Sequence, residues 1–268
     1  MKHIKKCKVL VLLDLNDRSL NVLKSANRIA EIVDAEIEMF HVRKPTQIVK
    51  MDSNLSAVKD IKDHFVTIEN ELKKMGVEVF GNSNISGNHF HTFGNIKNEI
   101  EKHIRKTNPD IVVVGKKASK SPGFIGDKIL PFLLKKFQGT VMVTDHDVVL
   151  NGMSKLKIGV LDNTPLESKS PYIKTLLENS EAPIHSYEIS SGFKEDEDRT
   201  AQKKQEIVSY VFEKSDQSLQ TISSYMNRSK INLLLVNRNS KIGSNNRDFS
   251  ISKLNDLVQT MKVPVLLS

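Results

Sequence analysis

The sequence has one cysteine, Cys7, and no tryptophan. A lone cysteine excludes a disulfide framework and a cysteine-based zinc site. No apolar run approaches the roughly 18 residues that cross a bilayer, so no membrane partner is expected. The basic N-terminus leads into an apolar run that stops at Leu13 without a small-residue cleavage site. A secretory signal is therefore not expected, and the cytoplasm is the expected compartment. Arginine-rich tracts and aromatic-studded basic strands are also missing, which argues against nucleic acid as a partner.

The 268 residues suffice for one large domain or two ordinary ones, and 27% charged with 38% hydrophobic residues suits a globular chain. The net charge of +8 is spread thinly. Residues 1–148 carry 24 Lys+Arg against 18 Asp+Glu, and residues 149–268 carry 16 against 14. Only the stretch from Lys116 to Lys136 is concentrated, with six lysines against one acid, Asp127. That pattern reads as a solvated surface or a local anion site.

Cys7 to Asp14 reads as a buried strand ending in an acid, followed by a helix that Asn16 or Asp17 can cap and that keeps its apolar period through Val33. Glu36 to Val42 makes a second strand. An amphipathic helix is expected from about Leu55 to Met75, with Gly76 as its C-cap. Val77 to Phe80 then starts a third strand, and a loop holds His89 and His91. A third helix, with Ile96, Ile100 and Ile104, stops near Asn108-Pro109. Asp110-Ile111-Val112-Val113-Val114-Gly115 is a fourth strand, followed by a lysine-rich loop, a helix to Phe137 and a fifth strand at Thr140 to Thr144. Strands alternating with helices in this way specify right-handed crossovers and a doubly wound parallel α/β sheet.

The second half repeats the first. Lys157 to Asp162 echoes the first strand, Ile231 to Asn237 the fourth and Pro264 to Ser268 the fifth. The offset is 148 for the first pair and 122 to 124 for the others. The second copy is thus shorter by about 25 residues, most of them from its second helix. Ile207 to Glu213 resembles the third strand. The boundary is expected within 147–155, giving domains 1–150 and 151–268.

An opening strand ending in Asp14, a Gly-ended fourth strand and a terminal strand like Val263-Pro264-Val265-Leu266-Leu267 together resemble the universal stress protein family, in its tandem two-domain form. The resemblance covers essentially the whole chain and implies two five-stranded parallel sheets of order 3-2-1-4-5. It also implies a stress-response or regulatory protein that is not an enzyme, with protein partners, pairing of the two domains within the chain and homodimers. The family's nucleotide-binding branch carries Gly, two residues, Gly, nine residues, then Gly followed by Ser or Thr. Glycines there admit phosphate to the backbone, and the helix start receives its charge. Here Gly115 fits the first glycine and Ala118 stands at the second. Lys128-Ile129 replaces the final pair, and a register shift offers Gly126-Asp127, which lacks the hydroxyl. Asp14 matches the acid near ribose and adenine, and Val42 the residue whose backbone meets the base. Lys116, Lys117, Lys120 and Lys128 can supply charge in place of the lost contacts. The resemblance therefore implies ATP or AMP as cofactor at Asp14, Val42, Gly115, Lys116, Gly126 and Lys128, or no cofactor at all. In the second copy Asp162 persists while Asn237 and Ser240 replace glycines.

Two function classes follow. One is a non-catalytic paired-domain scaffold, with at most weak adenine-nucleotide binding in its first domain; the other is an ATP- or AMP-dependent switch. A nucleotidyl-transferring enzyme on the same fold would need a His-x-Gly-His element after the first strand, which Leu15-Asn16-Asp17-Arg18 does not supply. His89 and His91 can face one side of a strand as zinc ligands, but no carboxylate is near them in sequence, and a solvated loop is the simpler reading. His41 on a sheet edge and His103 on a helix read as structural histidines. Cys7 reads as a buried small residue, and Glu195 to Asp198 as a solvated acidic run. No metal ligand set and no catalytic residues are expected.

Overall fold

The computed structural model describes residues 6–44, 54–81, 87–116, 129–144, 148–150, 155–162, 170–190, 206–238 and 251–268. In the first half the strands are β1 (Cys7–Leu13), β2 (Ala35–Arg43), β3 (Gly87–Phe93), β4 (Ile111–Gly115) and β5 (Thr140–Thr144). They alternate with α1 (Ser19–Val33), α2 (Asn54–Phe80), α3 (Ile96–Thr107) and α4 (Ile129–Lys136). The second half contributes β6 (Ile158–Leu161), β7 (Ile184–Ser190), β8 (Ile207–Glu213), β9 (Leu233–Val236) and β10 (Val265–Leu267), with α5 (Pro171–Glu178), α6 (Ser218–Arg228) and α7 (Ile251–Thr260).

The ten strands form one sheet of order β3-β2-β1-β4-β5-β10-β9-β6-β7-β8. Each half is a parallel 3-2-1-4-5 sheet. The single antiparallel junction is between β5 and β10, where Val265 faces Val143 and Leu267 faces Val141. Side chains alternate along β1. Leu10 and Leu12 enter the core under α3, α4, α6 and α7, and Val9, Val11 and Leu13 the core under α1, α2 and α5. Burial on both faces explains the near-continuous apolar runs of β1, β4 and β9. Each such side chain contributes about 1.5–3 kcal/mol on burial. The halves are also joined by helices, α1 against α5 on one face and α4 against α7 on the other. Thr140 Oγ1 lies 2.8 Å from the Tyr172 hydroxyl across this junction.

Three expectations need correction. Gly76 is not a C-cap, and Val77 to Phe80 is not a strand, because α2 continues to Phe80. Its buried positions Ile68 and Leu72 continue in Met75 and Val79 at helical spacing. A Cβ at Gly76 would come within 3.2 Å of Met39 Cε, so this glycine serves the close approach of α2 to β2. The third strand instead carries His89 and His91 themselves. Finally, α1 begins after Arg18, which makes no side-chain cap. Asn16 Oδ1 accepts the Arg18 N–H at 2.9 Å, a turn that precedes the helix. Cys7 is half-buried, and no helix is described between β7 and β8, where residues 191–205 lie outside the described set.

Candidate functional site

In a 3-2-1-4-5 sheet the connections diverge between β1 and β4, and the crevice beyond their carboxyl ends is where ligands of such sheets sit. Pairing of Leu12 with Val114 sets the ends of these strands side by side. Asp14 and Lys116 follow them directly. Val42 has its side chain in the core. Gly94 donates to the Arg43 carbonyl, so strand alternation turns the backbone groups of Val42 toward β1, which stops at Leu13. Gly115 closes β4, opposite Thr144. Asp14, Val42, Gly115 and Lys116 thus border one crevice, while Gly126 and Lys128, with Ala118 and Asp127, lie outside the described residues.

Among the described residues, Asp14 and Lys116 are engaged within the protein. Asp14 Oδ2 accepts from Asn16 Nδ2 and Oδ1 from Ser19 Oγ, both at 2.8 Å. Leu15, at φ 53°, takes the left-handed turn that brings Asn16 and Ser19 back to this carboxylate. The Lys116 N–H donates to the Thr144 carbonyl at 2.8 Å, and its ammonium to the Met261 carbonyl at 2.6 Å. Met261 follows the last turn of α7, so the cation meets the negative end of a helix in the other half.

Arg238 mirrors this arrangement. Pairing of Leu161 with Val236 repeats that of Leu12 with Val114, which sets Arg238 in the place of Lys116. Its guanidinium donates to the carbonyls of Phe137 (2.7 Å), Leu267 (3.3 Å) and Gly139, the first and last of these just beyond α4. Burial pushes the Arg238 pKa down to about 10, with Tyr172 opposing the shift; it remains a cation at neutral pH. The two basic residues that open the two loops are therefore crossed, each holding the helix end of the opposite half.

The same register corrects the match between Asp14 and Asp162. Leu161 occupies the place of Leu12, so Asp162 stands where Leu13 does, one residue too early. Asp162 is held at φ 60°, and its N–H donates to the Tyr187 carbonyl. Burial, then the charge of Glu188, raises its carboxyl to about 7 against the opposing hydrogen bond of the Ile189 backbone.

Sequence reasoning missed the carboxylate that serves His89 and His91. It is Glu69 on α2, 2.9 Å from His89 Nε2 and 3.4 Å from His91 Nδ1; helical periodicity places Glu69 beside Ile68 but cannot say which strand lies beneath. His41 is on the interior strand β2, not at an edge, and its Nδ1–H donates to the Leu13 carbonyl at 2.8 Å. Burial lowers the pKa of both His41 and His91. His103 meets Glu38 at 2.5 Å and stacks on Phe40. No group of three metal-ligating side chains is found among the described residues.

The sequence profile of the Universal stress protein family matches residues 7–142, just over half of the chain. Among solved structures, a universal stress protein from Archaeoglobus fulgidus superposes with a TM-score of 0.66 at 17% identity, covering 97% of each chain. A functionally unknown protein from Pseudomonas aeruginosa gives 0.54 at 12% identity, over 98% of this chain and 92% of its own. Identities this low show a common fold and nothing finer. No curated protein matches the chain.

Proposed function

This chain belongs to the universal stress protein family, and from that premise we propose that it is a non-catalytic stress-response scaffold. Its two halves, divided within 147–155, act as one paired unit toward protein partners in the cytoplasm. Adenine nucleotide binds at most weakly in the first half, at Asp14, Val42, Gly115 and Lys116 together with Gly126 and Lys128, which lie outside the described residues. The observation that supports this reading is the bond from Lys116 to the Met261 carbonyl. Lys116, the first residue after β4, is engaged in holding the halves together, and Asp14 is engaged by Asn16 and Ser19. A phosphate would have to compete with both.

A second reading, an ATP- or AMP-dependent switch, is favoured by the convergence of Asp14, Gly115 and Lys116 at the point where the strand order diverges. A thermal titration with ATP and AMP separates the two. A ligand whose concentration equals its Kd stabilises by only about 0.4 kcal/mol, so the scaffold predicts a rise within measurement error at millimolar nucleotide. A rise of several degrees that Asp14→Ala abolishes establishes the switch and overturns the scaffold.

A further inference from the structure

Helix α3 packs over β2, and the edge strand β3 extends beyond it on the same face of the sheet. Phe40 and Phe90 are register partners on these two strands. Strand alternation turns Phe90 away from the side of His89 and His91 and toward that of α3. Its side chain remains 47% exposed. Glu99, Lys102, His103 and Lys106 stand at i, i+3, i+4 and i+7, so one face of α3 overlooks the two phenylalanines. Between strand and helix lies an open cleft of about 250 Å³, lined by these six residues and Thr92.

Its aromatic groups leave one ring available. His103 stacks on Phe40 with centroids 3.9 Å apart and planes 9° apart. Glu38 holds this imidazole through Nε2 at 2.5 Å. Phe90 tilts against the pair at 51°, 5.7 Å from His103, and keeps nearly half of its surface in solvent. The charges leave one cation available. Glu99 is engaged by Lys102 at 2.8 Å and Glu38 by His103, whereas Lys106 has no carboxylate partner among the described residues.

We propose that this cleft binds a small planar aromatic carboxylate. The ring of the ligand stacks on Phe90 beside the Phe40–His103 pair, in the offset or tilted geometry that aromatic pairs prefer. Its carboxylate meets the Lys106 ammonium at the rim. The volume falls just below the roughly 300–1,000 Å³ of pockets that hold drug-sized molecules, which limits the occupant to one or two rings. Phe40, Phe90, His103 and Lys106 share no residue with the crevice beyond β1 and β4, so this site stands apart from the reading of Asp14 and Lys116.

Titration calorimetry of the full chain with cinnamate and with its neutral isostere cinnamamide tests the assignment. Cinnamate is expected to bind with a Kd of about 1 mM or below. Phe90→Ala should weaken both ligands, roughly three- to tenfold. Lys106→Gln should weaken cinnamate about two- to fivefold and leave cinnamamide unchanged. Asp14→Ala should change neither. Absence of heat at millimolar cinnamate overturns the proposal. So does binding that survives Phe90→Ala unchanged or that Asp14→Ala abolishes, which would place the ligand in the other crevice. An acidic peptide with one central phenylalanine that binds more tightly than cinnamate at the same residues also overturns it, because the cleft is then a docking surface for protein. Should Phe90→Ala fail to fold, the discrimination between cinnamate and cinnamamide by Lys106→Gln decides alone.

Discussion

Lys116 and Arg238 hold the same position in the two halves, and each donates to the carbonyl that follows the last helix of the other half, Met261 after α7 and Phe137 after α4. The crossing converts two loop openings into an interface. Arg238 is the stronger member, with three carbonyl partners and a buried guanidinium. Arg238→Ala is expected to lower the unfolding free energy by about 2–4 kcal/mol, because it leaves buried carbonyls without donors. Lys116→Ala is expected to cost about 1–2 kcal/mol. Urea denaturation of the two variants checks the order; equal and negligible losses would contradict the interface role.

Acid should weaken the first half through His41 and His91. Desolvation holds the pKa of both below the ordinary histidine value. The unfolded chain therefore binds more protons than the folded one just below pH 6.5, and stability falls as pH drops from there toward the folded values. Above pH 6.5 the contribution is complete. His41→Gln should flatten this part of the stability profile, measured by denaturation between pH 5 and pH 7.5, the range in which histidine charges.

Asp162 gives the opposite sign. Its carboxyl is raised to about 7 in the folded protein, so ionising it opposes folding, and this cost grows as pH rises from its ordinary value through 7. Asp162→Asn should stabilise the protein at pH 8 by about 1–3 kcal/mol, less than the full shift implies, and should do little at pH 4. Melting temperatures at the two pH values test this directly, and equal gains at both would refute it.

The end of α2 offers a packing test. A Cβ on Gly87 would fall 2.3 Å from Phe80 Cε2. Gly87→Ala should displace the Phe80 ring and cost about 1–3 kcal/mol. Loss of helical circular dichroism ahead of global unfolding would mark the fraying of α2.

Local pattern was enough for β1, α1, β4 and β5, since each is an apolar run or a helical stripe bounded by its own turn residues. It failed at Gly76 because the glycine that suits a helix end equally suits close approach to Met39, and only the neighbouring strand distinguishes the two. It failed for Asp162 because one residue of register is invisible in an apolar run, whereas pairing of Leu161 with Val236 fixes it. Lys116 showed a similar limit. A lysine beside a glycine loop looks like an anion ligand in sequence, and its carbonyl partner is 145 residues away.

The sequence by itself determined two α/β units of one design, because hydrophobic period and strand-helix alternation are local properties repeated in both halves. The tertiary structure decided what the units do to each other. It joined them at β5 and β10 and crossed Lys116 and Arg238 between them. These outcomes depend on contacts between residues more than one hundred positions apart, which burial and backbone pairing select only once the sheet has formed.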